Sequence, residues 1–133
     1  MIYGVGIDIV LVRRIQKMIE KFGEKFLTRI FTNGEIKYSD GHEKSRFQHY
    51  AARWAAKEAV FKALKGDWKT GIIWREIEVQ NESRGNPVIV LHGAAEKVSK
   101  SLGITRLEVS ISHTSESACA VVVAEKNHAA RAF

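Results

Sequence analysis

Ala52, Ala56, Ala59 and Ala63 recur at spacings of four, three and four residues. That spacing puts all four on one narrow stripe of a helix. A stripe of methyl groups lets the helix, read here over residues 46–64, approach a neighbour closely. The start of the chain is equally unusual. Residues 1–10 alternate as a strand, with Tyr3, Val5, Ile7 and Ile9 on one face and Gly4, Gly6 and Asp8 on the other. The second face is bare beside a carboxylate.

The remaining pattern predicts an α+β fold, with a mainly antiparallel sheet packed with two longer helices and one short helix. Ile15, Met18, Ile19, Phe22 and Phe26 recur at helical spacing, and Arg14, Lys17, Lys21 and Lys25 fall on another side of the same helix. Asn33-Gly34 and residues 39–45 read as loop, and residues 66–71 end the alanine-striped helix. Residues 74–80 alternate as a strand, Arg84-Gly85-Asn86-Pro87 reads as a turn, and residues 88–91 form the partner strand. A short helix is predicted over 93–102 with Gly103 at its end. Leu107, Val109 and Ile111 then alternate with polar residues, a turn spans 113–117, and 118–124 is an apolar strand.

A chain of 133 residues with 45% apolar and 27% charged side chains has the composition of one globular domain, read as residues 1–126 with a flexible tail over 127–133. Cys119, the single cysteine, sits in an apolar run and reads as a buried, inert thiol. With no secretory leader, it points to the cytoplasm. No apolar stretch approaches the ~20 residues of a membrane span. The net charge of +6 is one-sided: residues 1–70 carry 14 Lys and Arg against 8 Asp and Glu, and residues 71–133 carry 7 against 7. That asymmetry calls for an anionic partner, whether nucleic acid, a phosphorylated ligand or an acidic protein. No dinucleotide fingerprint, phosphate loop, zinc spacing or serine elbow is present.

Four placements carry candidate chemistry. Asp8 lies near the end of an otherwise apolar strand and needs a partner, because an unpaired buried charge costs several kcal/mol. It is either solvated, bridged to Arg13 or Arg14, or a ligand. Glu58, Lys62 and Lys65 share a helix face, with Arg53 and Lys57 nearby. They form either a solvent face with a Glu-to-Lys pair worth ~0.2–0.5 kcal/mol, or a phosphate site in which Glu58 joins Asp8 on one Mg²⁺. His113 continues the parity of Leu107, Val109 and Ile111 at the strand end and is either a structural residue or a donor to a phosphate oxygen. The cations at 14, 17, 21 and 25 are either solvated surface or a dock for an acidic helix. No nucleic-acid readout motif accompanies the basic excess.

Taken in order, these segments resemble the holo-acyl-carrier-protein synthase family, the small 4′-phosphopantetheinyl transferases. Gly6-Ile-Asp-Ile-Val10 looks like the family's N-terminal motif. Arg53-Trp-Ala-Ala-Lys-Glu-Ala-Val-Phe-Lys-Ala63 is similar to its central signature, with Trp54 in place of the usual Phe and Phe61 in place of a small residue. Trp74-Arg-Glu-Ile-Glu-Val79, Gly85-Asn-Pro87 and Val109-Ser-Ile-Ser-His113 correspond to its later blocks.

The resemblance implies a 4′-phosphopantetheinyl transferase-like fold and transfer of the phosphopantetheine arm of coenzyme A to a serine of an apo acyl carrier protein, serving fatty acid biosynthesis. Carried over residue by residue, it gives Asp8 and Glu58 as ligands of Mg²⁺, and Lys62 and His113 as contacts of the coenzyme pyrophosphate. Arg53 is assigned to the 3′-phosphate, Gly85 and Pro87 to the adenine border, and Arg14 and Lys21 to the acidic carrier protein. Asp8, Glu58 and Lys62 form the implied catalytic set. The base is Glu58, a metal-bound water it orients, or a carboxylate of the carrier. The resemblance also implies a homotrimer with sites between subunits, and no nucleic acid or membrane partner. A basic nucleic-acid-binding domain and a non-catalytic adaptor are the competing classes. The first predicts steep salt dependence without Mg²⁺; the second predicts partner binding that depends on Arg14.

Overall fold

The computed structural model describes residues 1–127, with the side chain of Trp68 left out. The predicted tail therefore lies, except for Asn127, outside the described residues. The element order is β1 (Ile2–Leu11), α1 (Val12–Phe22), α2 (Glu24–Ile30), α3 (Asn33–Asp40), α4 (Arg46–Ala63), β2 (Ile77–Asn81), β3 (Pro87–Leu91), α5 (Gly93–Ser101), β4 (Ile104–His113) and β5 (Ser117–Lys126). An antiparallel sheet has the order β1-β5-β4, and β2 and β3 form a separate antiparallel hairpin. The α+β class with antiparallel pairing is thus as the sequence predicts.

Helix α4 lies across the inner face of the three-stranded sheet. Its stripe of Ala52, Ala56, Ala59 and Ala63 is buried, and so are Ala118, Ala120, Val122 and Ala124 of β5 facing it. The bare face of β1 is the surface that receives the stripe. A β-carbon placed on Gly4 would stand 2.1 Å from the Ala63 carbonyl oxygen, and one on Gly6 would stand 1.8 Å from that of Ala59. Only glycine permits that approach. The consequence is that the apolar side of β1 faces outward: Ile2, Val5, Ile7, Ile9 and Leu11 are exposed. Cys119, opposite Ile9 in the ladder, is half-buried on this outer face rather than buried.

Three sequence expectations change. The first long helix is two, because Gly23 adopts φ +57 and its backbone N–H bonds to Ile19 O, ending α1 before α2 begins. Asn33-Gly34 and residues 39–40, read as loop, belong to α3, which also takes in the unassigned residues between them. Thr32 accepts from the Glu35 backbone N–H while the Glu35 carboxylate accepts from that of Thr32, a reciprocal cap that starts the helix. Residues 74–76 form a single 3₁₀ turn ahead of β2.

Candidate active site

Asp8 follows Gly4 and Gly6 on the inward face of β1 and retains 17% side-chain exposure. Its partner is neither Arg13 nor Arg14. Lys62 Nζ donates to Asp8 Oδ1 at 3.0 Å and to the Ile7 carbonyl at 3.0 Å. Of the two readings of this helix face, the solvent-face pair of Glu58 with Lys62 gives way to a pair between α4 and β1. Glu58 instead lines a cavity of about 430 Å³ with Asp8, Arg14, Ile15, Met18, Phe26 and Trp54. Burial raises the proton affinity of the Glu58 carboxyl above the ordinary carboxylate range, and the neighbouring Asp8 charge raises it further, against the opposing effects of Lys62, Trp54 and Arg14.

Two carboxylates that repel each other in an open cavity suit a small divalent cation. No third His, Cys, Asp or Glu joins them as a metal cluster among the described residues. Magnesium takes such a set, because one or two carboxylates suffice when water and phosphate oxygens complete its shell. The residues present fit that ion.

A second cluster gathers nearer the start of α4. Arg53, expected beside a solvent face, is only 4% exposed. Its guanidinium lies 3.8 Å from the Tyr38 ring centroid, and Nη2 donates to Asn81 Oδ1 at 2.6 Å. Its Nε is buried without a hydrogen-bond partner. Asn81 Nδ2 in turn donates to the Gly85 carbonyl at 2.8 Å, and Asn81 faces Pro87 across the hairpin. On the other flank His49 contacts His113, ring centroids 5.2 Å apart, and His113 Nδ1 lies 2.9 Å from Gln48 Oε1. Burial lowers the His49 pKa to about 4, helped by the neighbouring charges of His42, His113 and Arg53. Arg53, His113, Gly85 and Pro87 are thus linked through Asn81 and His49.

The two clusters stay apart within one chain. Asp8 pairs with Ala120, and Ala120 with Ile111, so His113 lies two strands across and two residues along from Asp8. Strand spacing and rise put their Cα atoms about 12 Å apart.

Lys57 is the largest departure from the predicted helix face. It is fully buried, bridged to Glu35 at 2.7 Å, and bonded to the carbonyls of Trp74 and Ile77. Glu35 also accepts from the Val79 backbone N–H at 2.9 Å. Sequence reading missed this pair because Glu35 was assigned to no element. The Thr32-x-x-Glu35 spacing was the available signal.

On α1, Arg14 borders the carboxylate cavity, while Lys21 lies against the Phe22 ring at 5.2 Å. Lys25 belongs to α2, so the predicted basic face is divided. Lys25 and Arg29 flank a groove of about 570 Å³ with Met18, Phe22, Phe26 and Thr28.

The sequence and the fold are both similar to those of known enzymes. A model of the 4′-phosphopantetheinyl transferase superfamily matches residues 4–122, and the chain belongs to that superfamily. Within it, the chain is 48% identical over 123 residues to the holo-[acyl-carrier-protein] synthase of Thermodesulfovibrio yellowstonii, covering 92% of this chain and 98% of that protein. The fold matches the crystal structure of holo-[acyl-carrier-protein] synthase from Neisseria meningitidis with a TM-score of 0.86 and 36% identity, covering 95% of this chain and 100% of that one. It also matches the Helicobacter pylori synthase in complex with coenzyme A, with a TM-score of 0.76 and 32% identity over 91% of this chain and 99% of that one. Among the described residues no helix is long and apolar enough to cross a membrane.

Proposed function

We propose that the protein is a Mg²⁺-dependent holo-[acyl-carrier-protein] synthase. It transfers 4′-phosphopantetheine from coenzyme A to a serine of apo acyl carrier protein and releases adenosine 3′,5′-bisphosphate, in support of fatty acid biosynthesis in the cytoplasm. The observation that carries this reading is the Asp8 and Glu58 carboxylates in one cavity with Lys62 and Arg14 beside them.

In the reaction the serine oxygen bonds to the phosphorus that bears the pantetheine arm, and the bond from that phosphorus to the departing bisphosphate breaks. Such transfer depends on in-line positioning and charge neutralisation. Asp8 and Glu58 would hold the Mg²⁺, which when bound neutralises pyrophosphate charge. Lys62 exchanges part of its pairing with Asp8 for a phosphate oxygen. Glu58, or a water it orients, accepts the serine proton. Arg53, His113 and the Gly85–Pro87 turn hold the adenosine phosphates and base, while Arg14 and Lys21 receive the acidic carrier.

The separation between the two clusters favours a site completed by a second copy. The exposed apolar face of β1 supports a homotrimer, because a monomer rarely leaves so large a patch open. Assembly would bring the coenzyme cluster of one copy to the carboxylate pair of the next.

Intact mass measured after mixing protein, coenzyme A, Mg²⁺ and a panel of apo carriers tests the reading. The carrier should gain one phosphopantetheine, and the gain should vanish on chelation or with Asp8→Ala or Glu58→Ala. A panel in which no carrier is modified refutes it.

A further inference from the structure

Arg53 leaves the middle of α4 as a cation that is only 4% exposed, and it forms no ion pair among the described residues. It lines a cavity of about 330 Å³ with Gly34, Tyr38, Glu78, Gln80 and Asn81. Glu78 is the acid in that lining, and its carboxylate is committed elsewhere. Oε2 accepts from Thr32 Oγ1 at 2.7 Å, while Oε1 accepts from Gln80 Nε2 at 3.0 Å and lies 2.9 Å from His92 Nε2. Arg53 Nε is buried with no hydrogen-bond partner. A buried guanidinium in that condition is short of an anion.

What holds the guanidinium is a carboxamide. Nη2 donates to Asn81 Oδ1 at 2.6 Å, and Asn81 Nδ2 donates to the Gly85 carbonyl at 2.8 Å. A guanidinium only donates and a carbonyl only accepts, so both neighbours demand the same orientation of the amide. Turned over, it would set N–H against N–H on one side and oxygen against oxygen on the other. Asn81 ends β2 and faces Pro87, the first residue of β3, so it stands at the neck of the turn over 82–86. That turn is closed by backbone bonds from Glu82 N–H to Asn86 O at 2.9 Å and from Gly85 N–H to Glu82 O at 2.7 Å. One side chain therefore joins the guanidinium to the turn.

Strand β2 is fastened to α4 at two points, and only one of them depends on a side chain of the strand. Lys57, one turn along from Arg53, donates to the backbone carbonyls of Trp74 and Ile77, which any residue supplies. Arg53 reaches the other end of β2 through the Asn81 carboxamide, which few residues can replace. An aspartate keeps the acceptor, adds a negative charge beside the cavity and loses the donor to Gly85. A leucine keeps the shape and loses both bonds.

We propose that Asn81 is a positioning residue: it holds Arg53 in place for the 3′-phosphate of coenzyme A and so makes this chain selective for a coenzyme that carries one. This rests on the coenzyme reading above, in which Arg53 meets that phosphate. An ionised phosphate monoester offers acceptor oxygens, and a guanidinium fixed in advance meets them without first being ordered. Released from Asn81, the guanidinium has Glu78 in the same cavity as a competing anion. The phosphate then has to displace that partner.

Initial rates with coenzyme A and with 3′-dephospho-coenzyme A, at fixed Mg²⁺ and saturating apo carrier protein, test this. Wild type should prefer coenzyme A. Asn81→Leu should raise KM for coenzyme A about tenfold with kcat little changed, and leave KM for the dephospho form within about twofold of wild type. Asn81→Asp should lower the preference further, because its charge opposes the phosphate while still pairing with Arg53. A purely structural role would instead raise KM for both coenzymes alike. If circular dichroism shows Asn81→Leu to be unfolded, Asn81→Asp carries the test, since it retains the bond to Arg53. Equal loss with both coenzymes, or an undiminished preference in the folded variants, overturns the proposal and leaves the coenzyme reading standing. Wild type that uses the two coenzymes equally overturns the proposal together with the placing of Arg53 at the 3′-phosphate. Wild type that modifies no carrier with either coenzyme overturns the coenzyme reading itself.

Discussion

Gly6 and Ala59 touch backbone to backbone: the Ala59 carbonyl occupies the space where a side chain at position 6 would begin, 1.8 Å from an ideal β-carbon. The atom in the way is main chain of α4, so no rotamer change relieves the clash. Gly6→Ala should cost about 3 kcal/mol or more through displaced packing, read as a lower urea midpoint. Val5→Ala, on the outward face of the same strand, should cost under about 1 kcal/mol in the monomer.

Lys57 and Glu35 form a fully buried pair with carbonyl and amide partners around it. Removing one charge strands the other away from water. Lys57→Met should destabilise by about 3–5 kcal/mol, and Lys57→Met combined with Glu35→Gln by less than the sum of the single changes. Equal additive losses in denaturant titrations would show the two charges to be independent.

Glu58 holds its proton to higher pH than an ordinary carboxylate, through burial first and the Asp8 charge second. A folded-state value above the unfolded one means that this group removes stability as pH rises through that window, and the deficit is complete above it. Glu58→Gln should therefore raise the unfolding midpoint slightly at pH 7–8, with no gain at pH values below the ordinary range of 4.5. Its activity should fall on the order of 100-fold or more. Thermal melts across pH, beside carrier-modification assays, check both signs.

Lys21 and Arg14 share α1 but not surroundings. Arg14 borders the carboxylate cavity and acts on Glu58, whereas Lys21 lies outside it. Lys21→Glu should lower kcat/KM for the carrier about tenfold, more at low salt, with coenzyme A affinity unchanged. Arg14→Glu should reduce use of both substrates. Initial rates with each substrate varied in turn separate the two patterns.

Ile7 and Ile9 project outward from β1 with exposures of 66% and 70%. Paired Ile7→Asp and Ile9→Asp changes should leave circular dichroism intact, give a monomer by light scattering, and abolish activity if sites are shared between copies. A monomeric wild type under the same conditions would remove this surface from the reaction.

Legibility followed the range of the interaction. The alanine stripe, the glycine face and the antiparallel strands were readable because each is a local period of four or two residues. Helix α3 was missed because Asn33-Gly34 carries a loop signal that the Thr32–Glu35 cap overrides. Gly23 divided a continuous apolar period because the period registers side chains while the break lies in a positive φ. The carboxylates, Arg53 and His113 were identifiable as unusual residues, yet their partners were not.

The sequence by itself determined which surfaces existed: a strand with one bare face, a helix with a methyl stripe, and an acid on each. Only the tertiary structure decided what those surfaces met. It turned the apolar side of β1 outward, drew Lys57 into the core, and gave Lys62 to Asp8, 54 residues away, in place of Glu58 one turn back. Periodicity specifies the composition of a face. Its partner is chosen by long-range packing and by the cost of leaving a buried charge unpaired.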